Sequence, residues 1–132
     1  MINRTTPILH VRRVEPSVAF FAERLGFTAT IQVPEGDHLG FVAMEAGPVE
    51  LMFQTYAGMQ ADAASPLAKA AEQGPSFLFV EVPDIGDTIR AMQGADVVVP
   101  LHDTFYGSKE IVVREPGGHY LILAQVPVRA AA

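Results

Sequence analysis

Apolar residues near the start of the chain change from the spacing of a strand to that of a helix. The stretch "PILHVRRV" (7–14) predicts a β-strand, and "EPSVAFFAERLGF" predicts a helix whose buried face carries Val18, Phe21 and Leu25. Gly26 has the conformational freedom with which many helices end. Three further strands are predicted from short apolar stretches, "TATIQV" (28–33), "LGFVAM" (39–44) and "VELMF" (49–53). The turn pieces "PEGD" and "EAGP" separate them.

The second half of the chain repeats this order. "FLFVEV" (77–82) predicts a strand, and "PDIGDTIRAMQG" predicts a helix that Asp84 caps and Gly94 ends. The residues on the buried face of this helix are Ile85, Ile89 and Met92. Three more strands are predicted from "DVVVP", "KEIVVR" and "YLILA", and a short helix around "PLAKAAEQ" is predicted between the halves. Both halves therefore follow the order strand–helix–strand–strand–strand, and such a repeat constrains the fold more than any single element does.

These elements predict an α+β protein built from two βαβββ modules. We expect the modules to form a cup-shaped mixed sheet with the helices on its outer face. They cover about 6–55 and 76–126, are joined by a linker at about 56–75, and make one domain over 1–132. A chain of 132 residues, of which 49% are hydrophobic, is long enough to bury such a core.

Charge and composition exclude several classes of function. The net charge of −6 argues against binding to nucleic acid, which requires basic patches. The absence of cysteine removes disulfides, thiolate metal sites and thiol nucleophiles. No apolar stretch approaches the ~20 residues that span a bilayer, and the first residues lack the apolar core of a secretion signal. We therefore expect a cytoplasmic protein with no membrane partner.

Two stretches of the chain resemble a known family. "TPILHVRRVEPSVAFFAERLGF" is similar to the opening of vicinal oxygen chelate proteins, in which a strand leads to a helix ending in Leu-Gly-Phe or Leu-Gly-Met. "YGSKEIVVREPGGHYLILAQ" resembles their closing strand–turn–strand, and with the repeat the resemblance covers about 6–126. The superfamily includes glyoxalases, extradiol dioxygenases, fosfomycin-modifying enzymes and bleomycin-resistance proteins. The resemblance implies the two-module fold without specifying one reaction.

In the enzymes of this family, histidine, glutamate or glutamine from the first and last strands of each module hold a divalent metal. The resemblance implies that the first ligand position falls on Thr6 and the second on Glu50. The third falls on Phe77, or on Ser76 if the register shifts by one, and the fourth falls on Ile122. Phenylalanine and isoleucine have no lone pair to offer, so we expect no metal cofactor. The pattern is closest to the metal-free members that are similar to bleomycin-resistance proteins.

Strand alternation predicts which other side chains face the cup together with these four positions. The predicted surface is mostly apolar and aromatic, as pockets for small molecules generally are. The candidate ligand-binding residues are His10, Glu50, Met52, Phe77, Phe79, Tyr106, Glu110, Tyr120 and Ile122. Tyr106 and Glu110 are among them because the resemblance implies that their loop and strand border the cavity. No catalytic residue is assigned.

Each polar candidate also has a purely structural interpretation. His10 stands where glyoxalases carry an arginine that contacts the substrate, and it is equally explained as a half-buried strand histidine. Glu50 is either a partner or base for a ligand, or a carboxylate paired with an arginine such as Arg12. Glu110 fits a solvated strand residue equally well. The remaining histidines are predicted to be exposed groups beside turns: His38, His102 and His119.

Two functions are consistent with these residues. The first is binding of a small, partly apolar or aromatic molecule in the cup without a metal. The alternative is a lyase, isomerase or dioxygenase of the same superfamily. That enzyme would use either an atypical metal set such as His10, Glu50 and Glu110, or Glu50 as a base without metal. The resemblance also implies a homodimer, because a partner would cover sheet edges and help to close the cup.

Overall fold

A computed structural model of the chain describes residues 1–62 and 69–127. Contacts within the chain divide it into two compact units. Unit 1 comprises Met1–Pro75 with Pro116–Gly118, and unit 2 comprises Ser76–Glu115 with the residues from His119 onward. Each unit has its own four-stranded sheet.

The described part of unit 1 contains four strands and two helices, besides the helical residues 69–71. In chain order they are β1 (Ile8–Val11), α1 (Val14–Leu25), β2 (Thr28–Glu35), β3 (His38–Ala46), β4 (Val49–Thr55) and α2 (Tyr56–Asp62). The strands are ordered β1-β4-β3-β2 across the sheet. The β1–β4 pair is parallel and the other pairs are antiparallel, so the sheet is mixed.

Unit 2 repeats this topology with one helix among its described elements. The elements are β5 (Phe77–Glu81), α3 (Ile85–Ala91), β6 (Asp96–Asp103), β7 (Lys109–Arg114) and β8 (Tyr120–Gln125). The strands are ordered β5-β8-β7-β6, with β5 parallel to β8 and the other pairs antiparallel. The predicted α+β fold with two βαβββ modules is therefore confirmed.

Several elements differ in extent from the prediction. The strand β6 continues past Pro100 to Asp103, because the register is irregular between Val99 and His102 and the missing N–H of proline is not needed in the ladder there. The helix α2 begins directly after β4, where the sequence analysis predicted a linker. The helix predicted around "PLAKAAEQ" lies partly outside the described residues. Within its described part, residues 69–71 are helical.

The core of each unit lies between its helix and one face of its sheet. In unit 1, the ring of Phe21 on α1 lies 5.3 Å from that of Phe53 on β4 and 5.4 Å from that of Phe27, centroid to centroid. Val18 and Leu25, predicted on the same helix face, are only partly buried. In unit 2 the helix side of the core contains Ile85 on α3 and Met92 just after it. The strands contribute four buried residues on the same side of the sheet: Ile111, Val113, Leu121 and Leu123.

The ends of the helices follow the predicted chemistry. Asp84 caps α3, since its Oδ1 accepts the backbone N–H of Asp87 at 2.9 Å. Gly26 ends α1 with a φ of 72°, a left-handed conformation that glycine adopts without strain. Glu15, in the first turn of α1, accepts the backbone N–H of Leu39 at 2.8 Å, and this bond lowers the pKa of its carboxyl group. Within the described residues no helix is long and apolar enough to span a membrane.

Candidate functional site

The face of each sheet that lies opposite the core is its open face. On β1 and β4 the buried residues alternate with less buried ones, which places His10, Glu50 and Met52 on the open face of unit 1. On β5 and β8 the same alternation places four candidates on the open face of unit 2: Phe77, Phe79, Tyr120 and Ile122. Glu110 on β7 shares this face by its position two residues before Val112, although its side chain is buried. Tyr106 lies on the β6–β7 loop of that unit. The candidates are thus divided between two faces, and each face is described by itself.

On the open face of unit 1, Glu50 is held by residues from the start of the chain. Its Oε1 accepts the hydroxyl of Thr6 at 2.8 Å and lies 3.4 Å from Nη1 of Arg4. Arg12 was predicted as the arginine partner of Glu50, and this prediction is wrong: Arg4 is the arginine beside Glu50. The physical reason is the parallel register: Ile8 pairs with Met52, so residues before β1 reach Glu50 while Arg12 lies past the other end of the strand.

His10 occupies the next part of the same face. Its Nε2 lies 3.1 Å from Oε1 of Gln54, which is also its register partner on β4. The side chain is half-buried, as the structural interpretation of this histidine predicted. Strand alternation predicts Gln54 on the same face as His10, and the parallel pairing of the first and last strands makes the two residues neighbours.

A shallow concavity of about 180 Å³ lies beside Gln54 in unit 1. It is lined by Val33, Pro34, Glu35, Gly40, Phe41, Gln54 and Gly58. Glu35 accepts hydrogen bonds from Thr55 Oγ1 at 3.0 Å and bonds to His38 Nε2 at 2.9 Å. His38 lies at the surface, as predicted, with about a quarter of its side chain exposed. The hydrogen bonds to Asp37 and then to Glu35 raise the pKa of His38 above its ordinary value.

The open face of unit 2 carries a stack of flat groups across three strands. Phe77 on β5 stacks on Tyr120 on β8, with ring centroids 5.2 Å apart and an interplanar angle of 13°. The guanidinium carbon of Arg114 on β7 lies 5.4 Å from the centroid of Tyr120. Arg114 also forms an ion pair with Asp96 at 3.6 Å. Phe77 is 66% exposed and Phe79 is 50% exposed, so this surface is available to another molecule.

Glu110 lies at the other end of this face and is 4% exposed. Its Oε2 accepts the Ser108 hydroxyl at 2.6 Å and the Tyr106 hydroxyl, and Ser108 Oγ lies 2.9 Å from Thr104 Oγ1. The interpretation of Glu110 as a solvated strand residue is therefore wrong, because the β6–β7 loop bonds to its carboxylate. Ser108 was missed, although its position two residues before Glu110 puts both side chains on one side of the strand.

His119 has a structural position that the sequence analysis did not predict. It is 4% exposed, its Nδ1 accepts the backbone N–H of Ser76 at 2.8 Å, and its own N–H donates to Glu115 Oε2 at 3.0 Å. The expectation that it would be solvent-exposed is wrong, because one bond joins its ring to the residue before β5 and the other joins its backbone to Glu115, just after β7. His102 is partly buried, with Nδ1 lying 2.9 Å from the carbonyl oxygen of Pro100.

The four ligand positions of the metal-dependent family members offer few donors here. Thr6 and Glu50 contact each other, as two neighbouring ligands would. In unit 2, Phe77 pairs with Tyr120 and Ile122 pairs with Phe79, so the face at these positions is hydrocarbon and aromatic. Across residues 1–62 and 69–127, no group of three His, Cys, Asp or Glu side chains could hold a metal ion. The residues present do not fit the metal of the family.

Comparison with known proteins identifies the family. The model of the Glyoxalase/Bleomycin resistance protein/Dioxygenase superfamily matches residues 2–123, nearly the whole chain. The chain belongs to this superfamily. The predicted resemblance is therefore confirmed, while the superfamily alone does not identify a reaction. No match to a curated protein was found.

Solved structures with the same fold are distant in sequence. TioX from Micromonospora sp. ML1 is 18% identical with a TM-score of 0.76, covering 96% of this chain and 100% of that one. Lactoylglutathione lyase from Agrobacterium tumefaciens is 14% identical with a TM-score of 0.75, covering 95% of each chain. A glyoxalase/bleomycin resistance protein/dioxygenase family enzyme from Burkholderia phytofirmans PsJN is 18% identical with a TM-score of 0.72, covering 92% of this chain and 97% of that one. At these identities the similarity establishes the fold alone.

Proposed function

We propose that the protein binds a small, partly apolar or aromatic organic molecule on its open sheet faces, without a metal. The observation that carries the proposal is the exposed aromatic surface of unit 2, where Phe77 and Phe79 lie beside Tyr120 and Ile122. Covering such a surface is favourable by roughly 25 cal/mol per Å² of apolar area. Contiguous exposed apolar patches on soluble proteins commonly mark binding sites.

The side chains at the family's ligand positions support binding without a metal. Phe77 and Ile122 replace donors with hydrocarbon, and the Thr6 hydroxyl already donates to Glu50. A catalytic metal site needs about three protein donors around one open position. The organic molecule would instead be held by apolar contact, with a few polar groups such as His10 and Glu50 giving orientation.

A metal-dependent lyase, isomerase or dioxygenase is the second candidate function. The contact between Thr6 and Glu50 favours it, because two oxygen donors lie together at the first and second ligand positions. Purified protein equilibrated with Mn²⁺, Fe²⁺, Ni²⁺ or Zn²⁺ and then desalted should retain well under one metal ion per chain by elemental analysis. A stoichiometric ion that disappears in Glu50→Gln would replace the binding proposal with the enzyme.

Binding itself is tested with a panel of aromatic compounds that differ in charge. A molecule that binds only the folded state raises the free energy of unfolding by about 2.7 kcal/mol at one hundred times its Kd, which thermal denaturation detects. The shift should be smaller in Phe79→Ala. It should be unchanged in Val49→Ala, which removes an equally exposed apolar side chain from the start of β4 in unit 1. Equal shifts in the wild type and Phe79→Ala would place binding elsewhere.

The proposal includes a homodimer. Edge strands β2 and β6 expose Ile31 and Val33 in unit 1 and Val97, Val99 and Leu101 in unit 2. A second copy covering such edges would prevent open-ended strand pairing. Light scattering coupled to size-exclusion chromatography should give twice the chain mass of 14.2 kDa, and a concentration-independent monomer would contradict the dimer.

A further inference from the structure

Side chains on the open face of unit 2 form three rows that run across strands β5, β8 and β7. The register sets the first row as Phe77, Tyr120 and Arg114, the second as Phe79, Ile122 and Val112, and the third as Glu81, Ala124 and Glu110. Successive rows are two residues apart, so the first and third are separated by roughly 13 Å along the strands. The face is therefore flat and aromatic at one end, hydrocarbon in the middle and acidic at the other end.

The acidic end contains a carboxylate with one oxygen available. Both hydroxyl donors to Glu110, from Tyr106 and Ser108, bond to Oε2. Oε1 has no hydrogen-bond partner among the described residues and is not one of the fully buried side-chain atoms that lack a partner, although the side chain as a whole is only 4% exposed. A carboxylate oxygen can only accept hydrogen bonds when ionised. A bound molecule that reaches this oxygen must therefore bring a donor.

The charge of Glu110 is solvated by hydroxyl groups without being neutralised. None of the ion pairs in the described parts of the chain includes Glu110. His102, its register partner on β6, has Nδ1 beside the Pro100 carbonyl, and Lys109 pairs with Asp103. Glu81, an exposed residue in the same row, lies across the small side chain of Ala124, and the acidic end does not depend on its charge. A cation is the donor that gains most from such surroundings, because hydrogen bonds between charged groups are the stronger ones.

We infer that unit 2 recognises a protonated amine joined to an apolar or aromatic body. The nitrogen donates to Oε1 of Glu110, at the border between the open face and the buried Ala124. The body covers Phe79, Ile122 and Val112 and extends toward the stacked rings of Phe77 and Tyr120. This inference rests on the proposed function and adds the chemical class of the molecule, its polar anchor and its direction on the face. A carboxylic acid of the same shape is excluded from the third row by like-charge repulsion.

The test uses ω-phenylalkylamines with two to six methylene groups and the matching neutral alcohols, titrated by calorimetry. We expect the best amine to bind about ten- to a hundredfold more tightly than its alcohol, the range that a charged hydrogen bond contributes. Glu110→Gln keeps an acceptor for Tyr106 and Ser108 and should reduce the amine affinity to that of the alcohol. Glu23→Gln removes the same charge from an exposed position on α1 and should leave the difference intact.

Tyrosine fluorescence provides a second measurement on the same titration. The chain has no tryptophan and three tyrosines, two of which, Tyr106 and Tyr120, lie on or beside this face. Amine binding should therefore change the emission in Tyr56→Phe as it does in the wild type. The inference would be overturned if the alcohol bound as tightly as the amine. It would also be overturned if Glu110→Gln weakened alcohol binding as much as amine binding. Either result would leave the proposed function standing. Absence of binding by both series would also overturn the inference, whereas the proposed function is tested separately by the aromatic panel.

Discussion

The open faces of the two units share a topology and differ in chemistry. On unit 1 the last strand presents Glu50, bonded to Thr6 two residues before the first strand, and Gln54, bonded to His10 on that strand. On unit 2 the corresponding strands present Phe77, Phe79, Tyr120 and Ile122, and a carboxylate enters only from β7. One module carries polar side chains across its parallel pair, and the other carries apolar ones. The difference teaches that the same backbone pairing can present two chemically different surfaces, because strand pairing depends on backbone hydrogen bonds and not on the side chains of the open face.

The largest difference in unfolding free energy is expected between a phenylalanine in the core of one unit and a phenylalanine on the open face of the other. Phe53 is fully buried against α1 in unit 1, and Phe79 is half exposed in unit 2. Phe53→Ala should lower the free energy of unfolding by about 3–5 kcal/mol, because it removes contacts and leaves a cavity. Phe79→Ala should change it by less than about 1 kcal/mol. Urea denaturation measures both, and similar losses would show that Phe79 belongs to a core.

A smaller difference is expected between the two open-face carboxylates. Glu110→Ala removes the acceptor of two hydroxyl groups in a buried network and should cost about 1.5–3 kcal/mol of unfolding free energy. Glu50→Ala should cost about 1 kcal/mol or less, since Arg4 is two-thirds exposed and such pairs contribute little. The comparison is measured by chemical denaturation at neutral pH. A greater loss for Glu50→Ala would reverse the assignment of the more structural carboxylate.

The two sheet-covering helices differ at their N-termini. Asp84 caps α3 through its side chain, whereas Arg13 at the start of α1 makes no side-chain cap bond. Asp84→Ala should destabilise the protein by about 0.5–2 kcal/mol, and Arg13→Ala should have an effect well below 1 kcal/mol. Thermal denaturation distinguishes the two variants. Equal effects would mean that the Asp84 bond to Asp87 contributes little to α3.

The smallest effect is a pH dependence specific to unit 1. The partners of His38 raise its pKa above the ordinary 6.5, so its stabilisation is complete below that pH and is lost as the pH rises through the folded value. Asp37 has its pKa lowered below 3.8, mainly by the hydrogen bond to His38, so its contribution is lost as the pH falls. The stability difference between wild type and His38→Gln should shrink above pH ~6.5, as denaturation at several pH values would show. A difference that is constant from mildly acidic to alkaline pH would contradict this.

The sequence by itself determined the order of elements, the family and the alternation of each strand. Apolar periodicity reports which side of an element is buried, and Gly26 and Asp84 mark helix ends through local backbone chemistry that needs no distant contact. The same local rules placed Phe77 and Ile122 on an open face. They could not give the partners of polar side chains, because those partners are far along the chain: Arg4 for Glu50 and Ser76 for His119.

Only the tertiary structure decided how those polar groups are used. Glu110 is buried because a loop closes over its strand, and His119 is buried because the turn that carries it reaches the residue before β5. The burial of these two residues cannot be read from the periodicity of apolar residues in the sequence, since it depends on where a loop lies in space. Burial and hydrogen bonding of isolated polar residues follow from such packing, whereas the hydrophobic pattern fixes only the elements that pack.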